Sequence, residues 1–313
     1  MAPFFGYHMP NFSFPGVPSD RLFDRVVEVA QAAEAAGFDL VTVMDHFYQI
    51  QGMGPETEPM LEAYTALAGI AARTSRVRLG TLVTGVTYRN PAVLAKIVTT
   101  LDVVSRGRAI LGIGAAWNEA EHIGYGIEFP PIGRRMEMLE EALTIAKLMF
   151  TEERPSFAGK FYRIERALNS PRPIQAGGPQ VLIGGMGEKR TLKLAARFAD
   201  MTHWSGGSLE NLKRLNGVLE RHCEAEGRDP STIFRTIGAP VLLARDEKEA
   251  AELAQRVPAE MQARIGRPAT PDQAAERMRP YMDAGFTGFT FGNPNLATPE
   301  LIAAAGELKK LLS

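Results

Sequence analysis

Residues 39–47 read Asp-Leu-Val-Thr-Val-Met-Asp-His-Phe. Leu40 to Met44 are strand-forming positions that run directly into an acid and a histidine. A short buried strand ending in Asp45-His46 sets two proton-handling groups at the carboxyl edge of a sheet. In parallel α/β folds ligands bind at that edge. The dipeptide alone is a weak signal, since a loop histidine bonded by its neighbouring aspartate would read the same. The flanking chain supplies the context.

Upstream, Phe4 to Pro10 reads as a strand, and Ser19-Asp20 open a helix with apolar face Leu22, Val26, Val29, Ala30 and Ala33, which Gly37 caps. Downstream, a loop rich in Gly and Pro runs from Phe47 to Pro59, the length of a functional lid. Helix Leu61 to Arg73 leads to strand Val77 to Val83, and Asn90-Pro91 cap and start helix Ala92 to Val104. Strand Ala109 to Ile113 and helix Arg134 to Phe150 follow. Thr151 to Pro179 breaks the rhythm with four prolines and a strand-like piece at Phe161 to Ile164, and reads as an insertion over 151–180.

Alternation then resumes with strand Val181 to Ile183, helix Glu188 to Phe198, strand Met201 to Trp204 and helix Leu209 to Glu226. Strand Ile233 to Leu243, helix Glu247 to Val257, a helix from Thr270-Pro271 to Gly285, strand Gly288 to Phe291 and helix Pro299 to Leu312 complete the chain. Eight βα units without hairpin signals predict a single α/β domain over 1–313, a closed (β/α)8 TIM barrel with an insertion after the fourth unit. A doubly wound sheet is disfavoured, because no Gly-x-Gly-x-x-Gly opens the first unit.

The 313 residues balance 35 basic against 36 acidic side chains, so no electrostatic footprint points to nucleic acid or an anionic membrane. The one cysteine, Cys223, excludes an intrachain disulfide and a cysteine-based metal site. No signal peptide opens the chain, and the longest apolar run is too short to span a bilayer, so a cytoplasmic protein is expected. No metal-ligand spacing of the His-Glu-x-x-His kind and no Gly-x-Ser-x-Gly elbow occurs.

The strand ends are rich in glycine: Gly80 to Gly85, Gly112 to Glu119, Gly184 to Lys189, His203 to Gly207 and Gly292 to Asn295. Small residues at a barrel mouth let backbone approach a flat ligand. Gly184-Gly185-Met186-Gly187, between a strand and a helix, is the best phosphate candidate, with Lys189 and Arg190 as possible added charge. Trp117, His203 and Trp204 are candidate pocket walls, although core packing is the stronger single explanation for Trp117. His8 would share the mouth with His46, whereas His122 and His222 have no partner in the pattern. A barrel aldolase or isomerase would want a lysine or paired carboxylates at strand ends, where this chain has Gly, Thr and Trp.

Three runs together, Gly37 to Phe47, Leu79 to Ala92 and Gly107 to Glu119, resemble the bacterial luciferase-like flavin monooxygenase superfamily. Within it they resemble the coenzyme F420-dependent oxidoreductases, over nearly the whole chain. The resemblance implies a barrel that binds F420, or alternatively FMN, at its mouth, with Asp45 and His46 in cofactor-site and acid/base roles. It implies a non-proline cis peptide near Leu82-Val83 behind the ring, and a phosphate at Gly184 to Gly187. The cofactor site would also draw on Thr84, Gly114, Ala115, Ala116, Trp117 and Asn118. The sugar-phosphate dehydrogenases of the family carry a catalytic glutamate after the fourth strand; the best-matched position here is Trp117, with Asn118-Glu119 just beyond. The activity expected is hydride transfer to an unidentified small organic substrate, with His46 handling the proton. Alternatives are an FMN monooxygenase fed by a partner reductase, and a non-catalytic flavin-binding or sensing protein. A homodimer, with an F420 or flavin reductase as possible partner, is the assembly the resemblance suggests.

Overall fold

The computed structural model describes residues 2–292 and 297–313. Its frame is eight strands: β1 (Phe4–Met9), β2 (Leu40–Val43), β3 (Arg78–Thr81), β4 (Ala109–Gly114), β5 (Gln180–Gly184), β6 (Met201–Trp204), β7 (Phe234–Gly238) and β8 (Gly288–Phe291). Each pairs in parallel with the next, and β8 pairs with β1, so the sheet closes. Parallel neighbours need crossovers, and the helices supply them.

The helices are α1 (Leu22–Ala35), α2 (Ala63–Arg73), α3 (Pro91–Ser105), α4 (Glu119–Gly124), α5 (Ile132–Thr151) and α6 (Thr191–Phe198). After them come α7 (Leu209–Ala225), α8 (Glu247–Arg256), α9 (Ala259–Ile265), α10 (Pro271–Asp283) and α11 (Pro299–Leu312). The expected face of α1 is buried, and the Asn90 side chain accepts from the Ala92 and Val93 N–H groups as a cap should. None of the helices among the described residues is long and apolar enough to cross a membrane.

Strand alternation sorts the core. Phe5, Tyr7, Met9, Val41 and Val43 face outward into the layer shared with the helices. Leu40, Ile110, Leu182 and Met201 face inward and plug the barrel, with Phe4 and Phe234 stacked edge-on beneath. Each such buried side chain contributes about 1.5–3 kcal/mol. Above the plug the inward positions turn polar or vanish into glycine. At Gly112 a Cβ would lie 1.9 Å from the Thr81 carbonyl oxygen, so only glycine fits there.

The structure departs from the sequence reading at several places. The β3 ladder stops at Thr81, the Leu82-Val83 peptide is cis, and Thr84 and Gly85 resume pairing with β4. The expected strand Ile233 to Leu243 breaks after Gly238, since Pro240 has no N–H to give a ladder; Leu242–Leu243 pairs instead with Pro268–Ala269. Helix α6 begins at Thr191 rather than Glu188, lengthening the loop before it. Helices α4 and α9 are additional to the elements expected from sequence. The segment after α5 forms a small antiparallel ladder, Phe157–Ala158 with Arg163–Ile164, anchored by Glu141 accepting from the N–H groups of Lys160, Phe161 and Tyr162.

Candidate active site

The strand ends enclose a cavity of about 650 Å³ at the carboxyl-terminal mouth. That is the size range of small-molecule sites, roughly 300–1,000 Å³. Val83 stands in it between two glycines: its methyls lie 3.0 Å from where Cβ atoms on Gly114 and Gly184 would be. The bulge that carries Val83 is tied down from behind. Tyr64 Oη lies 2.6 Å from Thr84 Oγ1, and Thr81 Oγ1 donates to the Gly112 carbonyl at 2.9 Å.

His46 follows β2 and is held by a carboxylate that approaches from α4. Its Nδ1 lies 2.6 Å from Oε2 of Glu121, whose side chain is completely buried. The same carboxylate accepts from the Phe47 N–H at 2.6 Å and from Tyr88 Oη at 2.9 Å. Burial alone would raise the Glu121 pKa, but hydrogen bonding and charge from His46, with the Phe47 and Tyr88 donors, hold it below its ordinary value. An ionised carboxylate only accepts, so His46 Nδ1 carries a proton and Nε2 is the nitrogen left for a ligand. Trp117, largely exposed, packs edge-on against the His46 ring at 5.5 Å.

Asp45 is committed to Arg89. Its oxygens receive Nη1 at 2.6 Å and Nη2 at 3.0 Å, while Nη2 also meets Glu62 at 2.5 Å and the guanidinium covers the Tyr64 ring. Burial pushes the Asp45 carboxyl up against the pull of Arg89. For Arg89, burial is outweighed by the hydrogen bond and charge of Asp45, which hold it charged. A bidentate pair at these distances is ionic.

Deeper in the barrel, His8 Nδ1 bonds Thr42 Oγ1 at 2.9 Å and His203 Nδ1 bonds Thr236 Oγ1 at 3.0 Å. The Thr236 hydroxyl donates to the Thr202 carbonyl, so it accepts from His203 Nδ1–H. Nε2 of His203 is therefore an acceptor. Burial lowers its pKa to about 4; burial, together with the charges of His203 and His46, lowers that of His8 to about 3. Both rings are neutral at neutral pH.

A profile of the luciferase-like monooxygenases matches residues 4–300. The chain belongs to that family. An F420-dependent glucose-6-phosphate dehydrogenase of Kineococcus radiotolerans is 33% identical over 305 residues, covering 86% of this chain and 87% of the relative. One from Nocardia farcinica is 32% identical over 302 residues, covering 86% and 88%. Among solved structures, an F420-dependent secondary alcohol dehydrogenase in complex with an F420-acetone adduct superposes with a TM-score of 0.81 at 20% identity, covering 100% of both chains. The EDTA monooxygenase of Chelativorans sp. BNC1 gives 0.83 at 16%, covering 99% of this chain and 94% of its own. At those identities the structural likenesses establish the fold.

Of the residues expected at the site, His8, Asp45, His46, Leu82, Val83, Thr84, Gly114, Ala115, Ala116, Trp117, Gly184, Gly185 and His203 all border the cavity. Trp204 does not. It is wholly buried on the outer face of β6, its ring 5.7 Å from that of Phe286, because adjacent strand residues point to opposite faces and His203 takes the inner one. Asn118, Met186 and Gly187 are also outside the cavity wall. The Asn118 carbonyl receives His122 Nδ1 at 2.7 Å, and Met186 is exposed in the lengthened loop. His122 is not partnerless, since its Nε2 also meets Thr87 Oγ1 at 2.6 Å, and His222 bonds the Glu188 carbonyl. Of the last glycine-rich strand end, Gly292 lines the cavity, while Asn293 to Asn295 lie outside the described residues.

Three functional groups escaped the sequence reading. Glu121, not the exposed Glu119, is the carboxylate after the fourth strand that reaches His46. Arg89 neutralises Asp45. Arg135 holds the β4 exit loop by donating to the carbonyls of Ala115 at 3.0 Å and Ala116 at 2.5 Å.

Proposed function

We propose that this protein is an oxidoreductase that uses coenzyme F420 as its hydride carrier and acts on a small organic substrate. The observation that carries the reading is His46 at the cavity mouth, with Nδ1 fixed by buried Glu121 and Nε2 left for the ligand. The two F420-dependent relatives, each aligned over 86% of this chain, support the choice of cofactor.

The residues present fit a planar ring system. Gly114, Gly184, Gly238 and Gly292 leave bare backbone around the mouth, and a Cβ on Gly206 would meet nothing within 4 Å. Val83 would back the ring, and the phosphate of the cofactor would lie against the backbone N–H groups of the loop beyond Gly185, whose own N–H donates to the His203 carbonyl. When bound, a reduced deazaflavin supplies a hydride to an electron-poor carbon. The protein positions that carbon, excludes water with the 47–59 loop and Trp117, and moves one proton. His46 Nε2 is the atom that gives or takes it, because Nδ1 is committed to Glu121. Asp45, with an Arg89 nitrogen on each of its oxygens, anchors the strand end.

His46→Ala tests the assignment. Cofactor affinity is expected to hold while turnover falls by roughly 10²–10⁴-fold, the usual worth of a positioned acid or base. Unchanged turnover would remove His46 from the chemistry.

A further inference from the structure

We propose that the substrate is an uncharged, predominantly apolar compound carrying one small polar group, such as a hydrophobic ketone or the matching alcohol, and not a phosphorylated sugar. The proposal rests on the oxidoreductase reading of the site, and deepens it.

Charge comes first. Among the described residues that line the cavity there is no lysine and no arginine. The one lining carboxylate, Asp45, is neutralised by Arg89. Burial disfavours the charged forms of His8 and His203, and His46 is paired with Glu121. A phosphate entering such a space would lose its hydration with no guanidinium or ammonium to replace it, a cost that buried anions avoid by pairing. The loop assigned to the cofactor phosphate, with Lys189 and Arg190, follows β5 and contributes only its two glycines to the wall.

The opposite wall is apolar by construction. After β7 the chain leaves the barrel at Pro240, and Leu242–Leu243 is held in place by pairing with Pro268–Ala269. This detour brings Val241, Leu242 and Leu243 to the cavity, where Ile265 from α9 joins them. A sugar would leave its hydroxyls against this surface unbonded, at about 1–3 kcal/mol each. An alkyl or ring body would instead remove it from water. Polar contacts come from His46, the two deeper imidazoles and the hydroxyls of Thr191, Ser205, Tyr281 and Thr290, so the polar end of the ligand belongs at these residues and its apolar body on the wall.

The test is calorimetric titration of methyl n-alkyl ketones of increasing chain length, and of glucose 6-phosphate, into F420-saturated and cofactor-free protein. Ketone affinity is expected to rise about fourfold per added methylene until the wall is covered. Glucose 6-phosphate should give no saturable heat. Ile265→Glu, at a half-buried position, should flatten the ketone series. A flat series in the unaltered protein, or saturable glucose 6-phosphate binding that displaces ketone, would overturn the proposal. The two readings fail separately. F420 binding with no ketone gradient sinks the substrate class alone. A ketone gradient in protein that does not take F420 supports the substrate class and sinks the cofactor.

Discussion

Glu121→Gln changes one oxygen to an NH2 group in a fully buried side chain, and its consequences can be worked through atom by atom. The carboxylate serves three close donors: His46 Nδ1 at 2.6 Å, the Phe47 N–H at 2.6 Å and Tyr88 Oη at 2.9 Å. Hydrogen bonds to a charged acceptor are worth about 1.5–3 kcal/mol and neutral ones about 1, so losing the charge over three bonds costs roughly 2–4 kcal/mol of stability. The amide oxygen can keep the Phe47 bond, but its NH2 then faces two former donors. Tyr88 can rotate its hydroxyl. His46 can only answer by moving its proton from Nδ1 to Nε2, which turns the ligand-facing nitrogen of the neutral ring from acceptor to donor. Turnover should fall by roughly 10²–10⁴-fold while cofactor affinity changes little. Nitrogen-15 NMR of the His46 ring reads the tautomer directly, and thermal melts read the stability. A variant that melts lower yet retains an Nδ1–H ring and full turnover would refute the role given to Glu121.

Removing the partner of Asp45 should be costlier than removing the pair. Arg89→Met strands a buried carboxylate and is expected to lose about 3–5 kcal/mol in denaturant unfolding, most of it recovered in Asp45→Asn/Arg89→Met. Gly112→Ala forces a Cβ to 1.9 Å from the Thr81 carbonyl and should cost more than about 4 kcal/mol or abolish folding, as soluble expression and circular dichroism will show. Acid should destabilise the protein well above the usual carboxylate range. The His203 pKa falls from 6.5 to about 4 on folding, so between those values the unfolded chain binds a proton that the folded one refuses. Stability therefore declines as pH drops through that window, by about 3 kcal/mol for this group, and His203→Gln should remove that part of the slope.

The barrel was legible because each strand is a short apolar run set off by glycine, and because the chain shows no hairpin chemistry between strands. The parts that were not legible depend on distant partners or on side-chain direction. Nothing near Glu121 marks it as the partner of a histidine 75 positions earlier. Arg89 sits in an ordinary loop before Asn90-Pro91, and only the fold brings it beneath Asp45. Trp204 was open to correction from sequence alone, since a two-residue period cannot aim both it and His203 inward. Pro240 likewise marked the end of β7, although where the chain goes next is decided by its pairing with Pro268–Ala269. The loop after β5 was read correctly as glycine-rich but too short, because helix-forming Glu188 to Arg190 remain outside α6.

Equilibrium binding of F420 and of FMN to the cofactor-free protein, followed by fluorescence quenching, is the most direct test of the oxidoreductase assignment. F420 should bind at least about tenfold more tightly than FMN, a difference of about 1.4 kcal/mol. Preference for FMN would place the protein among flavin monooxygenases and make oxygen uptake its expected activity; binding of neither would contradict both cofactor readings.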